Sequence, residues 1–126
     1  MTDLLQPETT YPAVVGRILV KLRQGRGLEQ KDLAQRIGLA QSTWSRIERG
    51  ESAFTMEQLA KAANVMETTP SSILAQADEA AEALREKGMI VSNERSRSAA
   101  KVGLALVVGA ALGLLIATVL KNKPSA

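Results

Sequence analysis

The sequence contains no cysteine and no histidine, and it has only one tryptophan, one tyrosine and one phenylalanine. The missing residue types exclude disulfides, thiol chemistry and the usual zinc-ligand sets, and they remove the commonest general base of enzymes. We therefore predict no enzymatic activity, no metal site and no cofactor. The scarcity of aromatic side chains also disfavours base stacking, the usual way of binding single-stranded nucleic acid.

The charge balance is mildly basic. Sixteen Lys and Arg side chains face thirteen Asp and Glu in 126 residues, which gives a net charge of +3. This balance permits a nucleic-acid partner without requiring one. For a chain of this length, one small globular domain with appended segments is the natural expectation.

The most informative stretch is residues 30–50, QKDLAQRIGLAQSTWSRIERG. Leu33 and Ile37 before Gly38, and Trp44 and Ile47 after it, keep helical spacing and predict two short helices joined by a glycine turn. This is the helix-turn-helix pattern, whose second helix enters the major groove of DNA. The stretch therefore predicts double-stranded DNA as a partner.

The other segments are divided by composition and periodicity. We predict an all-α fold, with a flexible arm and no signal peptide at residues 1–13, and five short helices in a domain at 14–77. Residues 78–100 are predicted to be a linker, helical at first and then flexible, because Ala and Glu give way to a serine-rich stretch.

A long apolar run lies near the C-terminus. Residues 102–120 carry no charge, and as a helix they would be roughly 28 Å long, close to the ~30 Å hydrocarbon core of a bilayer. We predict a transmembrane helix at 101–121 with a short tail at 122–126, because a domain this small offers little core to surround a buried helix. Flanking Lys and Arg side chains favour a single-pass protein of the bacterial inner membrane with its N-terminal domain in the cytoplasm.

Small residues recur at every fourth position of this run. They lie on one face of the predicted helix and would let two backbones approach closely. We predict that two such helices pair through this face, which consists of Ala105, Gly109, Gly113 and Ala117.

Residues 14–77 resemble the Cro/C1-type (Xre-like) helix-turn-helix domain of phage repressors and bacterial regulators. The resemblance is carried by residues 28–34, 37–39, 41–50 and 59–65, which read LEQKDLA, IGL, QSTWSRIERG and LAKAANV. It implies a five-helix domain that binds DNA with a recognition helix over residues 41–49. The positions that match this helix's base contacts are Gln41, Ser42 and Arg46, with Thr43 and Ser45 beside them.

The resemblance implies roles outside the base-reading face as well. Gln30 matches a glutamine that contacts phosphate, and Arg49 would lie near the DNA backbone. Arg23 and Glu48 match a structural ion pair between helices. Trp44 falls at a position that the family fills with an aliphatic core residue, so we predict that it is buried.

Three residues depart from the family pattern. Glu29 and Ala40 stand where Ser or Thr usually caps a helix of the motif, and the loss of a capping hydroxyl typically costs about 0.5–2 kcal/mol. Glu51 stands where lysine is common and places a negative charge near the expected phosphates. These departures lower the affinity for DNA that the resemblance implies.

Two functions fit these observations. The first is a membrane-tethered, sequence-specific transcriptional regulator, dimeric because one domain contacts only a few base pairs. The second is a membrane adaptor whose helix-turn-helix domain binds a protein, as in RodZ-like cell-shape proteins with a cytoskeletal or assembly role. The polar face of residues 41–46 favours DNA, whereas Glu51 and the mild net charge favour a protein partner.

Overall fold

Six helices and two short strands make up the computed structural model, which describes residues 6–95 and 106–122. In chain order they are β1 (Glu8–Thr10), α1 (Tyr11–Gly25), α2 (Gln30–Ile37), α3 (Gln41–Glu48), α4 (Met56–Val65), α5 (Pro70–Glu86), β2 (Ile90–Ser92) and α6 (Gly109–Lys121).

Three of the helices begin at a capping threonine. The hydroxyls of Thr10, Thr55 and Thr69 each accept a hydrogen bond from the main-chain N–H three residues later, at 3.0–3.1 Å. Such a bond satisfies one of the free donors of a helix N-terminus and typically stabilises it by about 1 kcal/mol. The starts of α1, α4 and α5 are therefore encoded locally.

The core lies where α1 crosses the other helices. Helix α1 packs on α3, α5 and α6, while α2 packs on α3 and α4. Each helix, or for α4 the residue that follows it, contributes at least one large side chain with less than 2 % of its surface exposed. These side chains are Leu19, Leu33, Trp44, Met66, Ile73, Leu84 and Leu112. One continuous apolar cluster thus joins the helix-turn-helix unit to the C-terminal helix.

Part of the segment predicted as a flexible arm is ordered. Strand β1 pairs in parallel with β2, and a bridge joins Glu8 to Leu106 on its other side. Thr9 and Thr10 are buried under this pairing. The N-terminal strand therefore lies between two stretches from the C-terminal part of the chain.

The predicted transmembrane helix at 101–121 is wrong, and with it the predicted fold class of five helices plus a span. The structure has a sixth helix, α6, of 13 residues, which at 1.5 Å per residue is about 20 Å long and too short for a ~30 Å hydrocarbon core. Within residues 6–95 and 106–122, no helix combines the length and apolarity that a bilayer crossing needs.

Helix α6 instead packs on the domain. Leu112, Ile116 and Val119 recur at i, i+4 and i+7 and are buried against α1 and α5. The helix is shorter than the apolar run because residues 106–108 are extended and Leu106 pairs with β1. The predicted inner-membrane location rested on the span and is contradicted by the same finding, and a lipid partner loses its support.

The small residues predicted to pair two membrane helices occupy different surroundings. Ala105 lies outside the described residues, and Gly109 begins α6. Gly113 faces α1, where an added Cβ would stand 2.8 Å from Nε of Arg17. Ala117 is exposed. Gly113 therefore serves a contact inside the domain.

One contact ties the start of α1 to the middle of α5. The hydroxyl of Tyr11 donates to Oδ1 of Asp78 at 2.6 Å. Partial burial of the ring, followed by the hydrogen bond and the charge of Asp78, raises the pKa of Tyr11 to about 12. Tyr11 is therefore neutral at physiological pH.

The packing of α6 predicts a difference between two leucines of the same helix. Leu112 is fully buried and Leu114 is 71 % exposed. Leu112→Ala is expected to lower the free energy of unfolding by about 2–5 kcal/mol because it leaves a cavity. Leu114→Ala serves as the control and is expected to change it by at most about 0.5 kcal/mol. Urea unfolding of the full chain measures both, and equal values would contradict the packing of α6.

Candidate nucleic-acid interface

Helices α2 and α3 form the helix-turn-helix unit. Gly38 ends α2 with a positive φ of 77°, and Leu39 donates its N–H to the carbonyl of Ala34 at 2.9 Å. Ala34, with Leu33 and Ile37, fixes α2 on the core from one side, while Trp44 and Ile47 fix α3 from the other. The predicted apolar pattern therefore corresponds to the buried faces of the two helices.

Helix α3 lies unusually close to α1. A Cβ at Gly16 would overlap the main-chain carbonyl of Glu48, so no other residue fits there without moving a helix. At the end of α3, Gly50 has a φ of 74°, and a Cβ would stand 2.6 Å from the Cα of Ala13. These two glycines set the distance and the exit direction of α3.

The carboxylate of Glu48 is the polar centre of this crossing. Its Oε2 accepts hydrogen bonds from Nε of Arg23 and from Nε1 of Trp44, both at 2.6 Å. Its Oε1 accepts from Nη2 of Arg23 at 3.1 Å and from Nε2 of Gln30 at 2.6 Å. The side chains of Arg23 and Glu48 are only 10 % and 3 % exposed. One buried carboxylate thus links α1, α2 and α3.

Arg23 is satisfied on its remaining side as well. Its Nη1 donates to the main-chain carbonyl of Leu28 at 2.8 Å. The guanidinium therefore holds the loop between α1 and α2 in addition to Glu48. A buried ion pair of this kind stabilises a fold only when its hydrogen bonds are complete, and here each charged group has several partners.

The predicted base-reading residues share the outer face of α3. Gln41, Ser42 and Arg46 are exposed, while Thr43 and Ser45 are half-buried. This face is polar from its first residue to its last, opposite the buried Trp44. Its side chains offer several hydrogen-bond donors and acceptors to solvent or to a partner.

The two arginines of this region are engaged by the loop that follows α3. Arg49 donates Nε and Nη2 to the carboxylate of Glu51 at 3.1 and 3.4 Å, and its Nη1 donates to Oγ of Ser45 at 2.7 Å. Nε of Arg46 lies 3.3 Å from Oγ of Ser52. The sequence signal for the first contact is that Arg49 and Glu51 lie two residues apart, on either side of Gly50. The sequence alone predicts only that Glu51 places a negative charge near the expected phosphates.

Gln30 lies apart from the exposed face. It is half-buried at the start of α2, and its side-chain amide donates one hydrogen bond to Glu48. The second N–H of the same nitrogen is available to another acceptor. The residue predicted to contact phosphate therefore has a structural contact that sequence reasoning missed.

The helix starts of the motif differ from each other. At α2 the carboxylate of Asp32 accepts the main-chain N–H of Glu29 at 3.1 Å. At α3, Ala40 supplies no side-chain hydrogen bond to the first turn. The first turn of α3 therefore lacks the side-chain cap that would satisfy one of its free N–H groups. Across the part of the chain that the structure describes, no group of three or more acidic side chains could hold a metal ion.

Comparison with known proteins agrees with this geometry. Residues 14–75 match the family model described as a helix-turn-helix domain. This match supports the predicted helix-turn-helix domain in that part of the chain, whereas the appended membrane helix has no support. No curated protein matches the sequence significantly.

Part of this chain shares its fold with a protein of known structure. The clp gene regulator ClgR from Corynebacterium glutamicum is similar in two crystal structures. One has a TM-score of 0.56 and 23% identity over 61% of this chain and 84% of that one. The other has a TM-score of 0.52 and 22% identity, and the match covers 55% of this chain and 90% of that one. The restriction-modification controller protein C.AhdI from Aeromonas hydrophila has a TM-score of 0.46 and 27% identity over 58% and 98%. The likeness to ClgR shows a shared fold.

The buried carboxylate predicts a large effect of a small change. Glu48→Gln keeps the shape of the side chain but leaves the charge of Arg23 buried without a counter-ion. We expect it to lower the free energy of unfolding by about 3–5 kcal/mol. Glu51→Gln, which removes the carboxylate of an exposed pair, is the matched control and should cost less than about 1 kcal/mol. Urea unfolding compares them, and a small loss for Glu48→Gln would refute the central role of this carboxylate.

Proposed function

We propose that this protein is a non-enzymatic transcriptional regulator that binds double-stranded DNA with α3 in the major groove. The observation that carries the proposal is the exposed polar face of α3, on a helix that Glu48 links to α1 and α2. The helix-turn-helix match over residues 14–75 supports it.

Gln41, Ser42 and Arg46 are the proposed base-reading residues. They are exposed on one face, and their side chains offer the hydrogen bonds that the major groove requires. Glutamine pairs with N6 and N7 of adenine, and arginine pairs with O6 and N7 of guanine. Thr43 and Ser45, which are half-buried beside them, are proposed to contact the edges of the groove.

Contacts to phosphate are proposed on both sides of α3. Gln30 is held by Glu48 in a fixed orientation, and its second N–H would reach a phosphate oxygen. Arg49 lies at the other end of α3 and is 46 % exposed. Such contacts position a domain on the duplex and carry no sequence information.

We further propose that the protein acts as a homodimer. A single α3 of eight residues reads only a few base pairs. Two copies on half-sites about one helical turn apart would supply the specificity that a regulator needs. The half-sites would then form an inverted repeat.

Selection from a random duplex library tests the proposal. The full chain is expected to enrich a short inverted-repeat sequence. Gln41→Ala and Arg46→Ala are each expected to weaken binding to that sequence by about 5- to 150-fold, the equivalent of about 1–3 kcal/mol per bidentate base contact. Binding to unrelated duplex should weaken much less.

Lys61→Ala is the control for loss of a positive charge. Lys61 lies on α4, is exposed and pairs with Glu57 at 3.7 Å, so its removal should leave the enriched sequence and its affinity nearly unchanged. Failure of the wild-type chain to enrich any sequence would contradict the proposed function and favour a protein partner for the exposed face of α3.

A further inference from the structure

The loop after α3 holds a carboxylate against the arginine that is proposed to contact phosphate. Glu51 meets Arg49 with both carboxylate oxygens, at 3.1 and 3.4 Å. Two parallel N–H···O bonds from a guanidinium are also how arginine binds a phosphate group. The carboxylate of Glu51 therefore occupies the donors that a DNA phosphate would use.

We infer that Glu51 is an intramolecular competitor of the DNA backbone, which lowers the affinity of this helix-turn-helix domain for DNA. The inference rests on the proposed function and assigns a lowered affinity of that site to one residue. Bound DNA must displace Glu51 from Arg49, and the displaced carboxylate then lies near the phosphate. Both effects oppose binding, independently of DNA sequence.

The main chain of Glu51 is held in place by the fold. Its N–H donates to the carbonyl of Arg46 at 2.8 Å, and its carbonyl accepts from Nη1 of Arg95 at 3.4 Å. Gly50 before it has a positive φ and packs on Ala13. The main chain is therefore anchored on both sides of the carboxylate, and only the side chain is free to move.

The ion pair is also weak enough to be exchanged. The side chains of Arg49 and Glu51 are 46 % and 52 % exposed, and exposed pairs of this kind are screened by solvent and salt. Contact with Ser45 keeps Arg49 over the outer face of α3 when Glu51 leaves. The arrangement thus attenuates DNA binding without abolishing it.

Binding of a random-sequence duplex of about 20 bp to the full chain tests this inference, with affinity measured between about 50 and 200 mM salt. Glu51→Gln is expected to bind about five-fold tighter than wild type, which is the upper end of what an exposed ion pair contributes. The slope of log affinity against log salt is expected to change by less than about 0.9, the value for one phosphate contact on B-DNA, because Arg49 contacts phosphate in both complexes.

Two controls separate this mechanism from a general change in charge. Glu67→Gln removes the carboxylate of the Arg26–Glu67 pair, whose arginine is also 46 % exposed, and it should leave affinity within about two-fold of wild type. In an Arg49→Ala background, Glu51→Gln should tighten binding much less, because only the repulsion between Glu51 and the phosphate is then removed.

Each outcome decides a different point. Tighter binding by Glu51→Gln that is much smaller in the Arg49→Ala background supports the competition. Unchanged affinity, or an equal gain in the Arg49→Ala background, overturns it while leaving DNA binding intact. If neither wild type nor Glu51→Gln shows salt-dependent binding, the proposed function itself fails, and the inference falls with it.

Discussion

The structure depends on one buried carboxylate. Glu48 lies where α1, α2 and α3 meet, and it accepts hydrogen bonds from Arg23, Gln30 and Trp44. A buried charge is costly unless its lone pairs are satisfied, so the three helices must keep one relative orientation. Because the outer face of α3 is fixed by the same contacts, the requirement of the core also sets the geometry of the candidate DNA-reading surface.

Apolar packing extends this fixed unit toward the C-terminus. Helix α1 contacts α3, α5 and α6. Strand β1 pairs with β2 and with Leu106. The segments before and after the helix-turn-helix unit therefore close over the same core. Arg95, which follows β2, reaches the carbonyl of Glu51. The C-terminal part of the chain is in this way joined to the loop that holds the charge opposite Arg49.

The helix-turn-helix unit could be predicted because its signals are local. Apolar spacing in residues 30–50 and the turn at Gly38 correspond to α2 and α3. Helix α6 could not be identified in the same way. A run of uncharged residues has the same hydropathy whether it crosses a bilayer or buries one face, and the groove of α1 and α5 that receives Leu112 and Ile116 is a tertiary feature. The contact between Gln30 and Glu48 likewise depends on a helix crossing that no sequence spacing specifies.

The central claim is that the exposed face of α3 is the surface that contacts DNA. Amide NMR of the full chain, titrated with a random-sequence duplex of about 20 bp, tests it most directly. The account predicts changes in the chemical shifts of the amides of α3 and of the Gln30 side chain. The chemical shift of the indole N–H of Trp44, which is bonded to Glu48 in the core, should stay unchanged. Shifts confined to other helices, or none on addition of excess duplex, would contradict it.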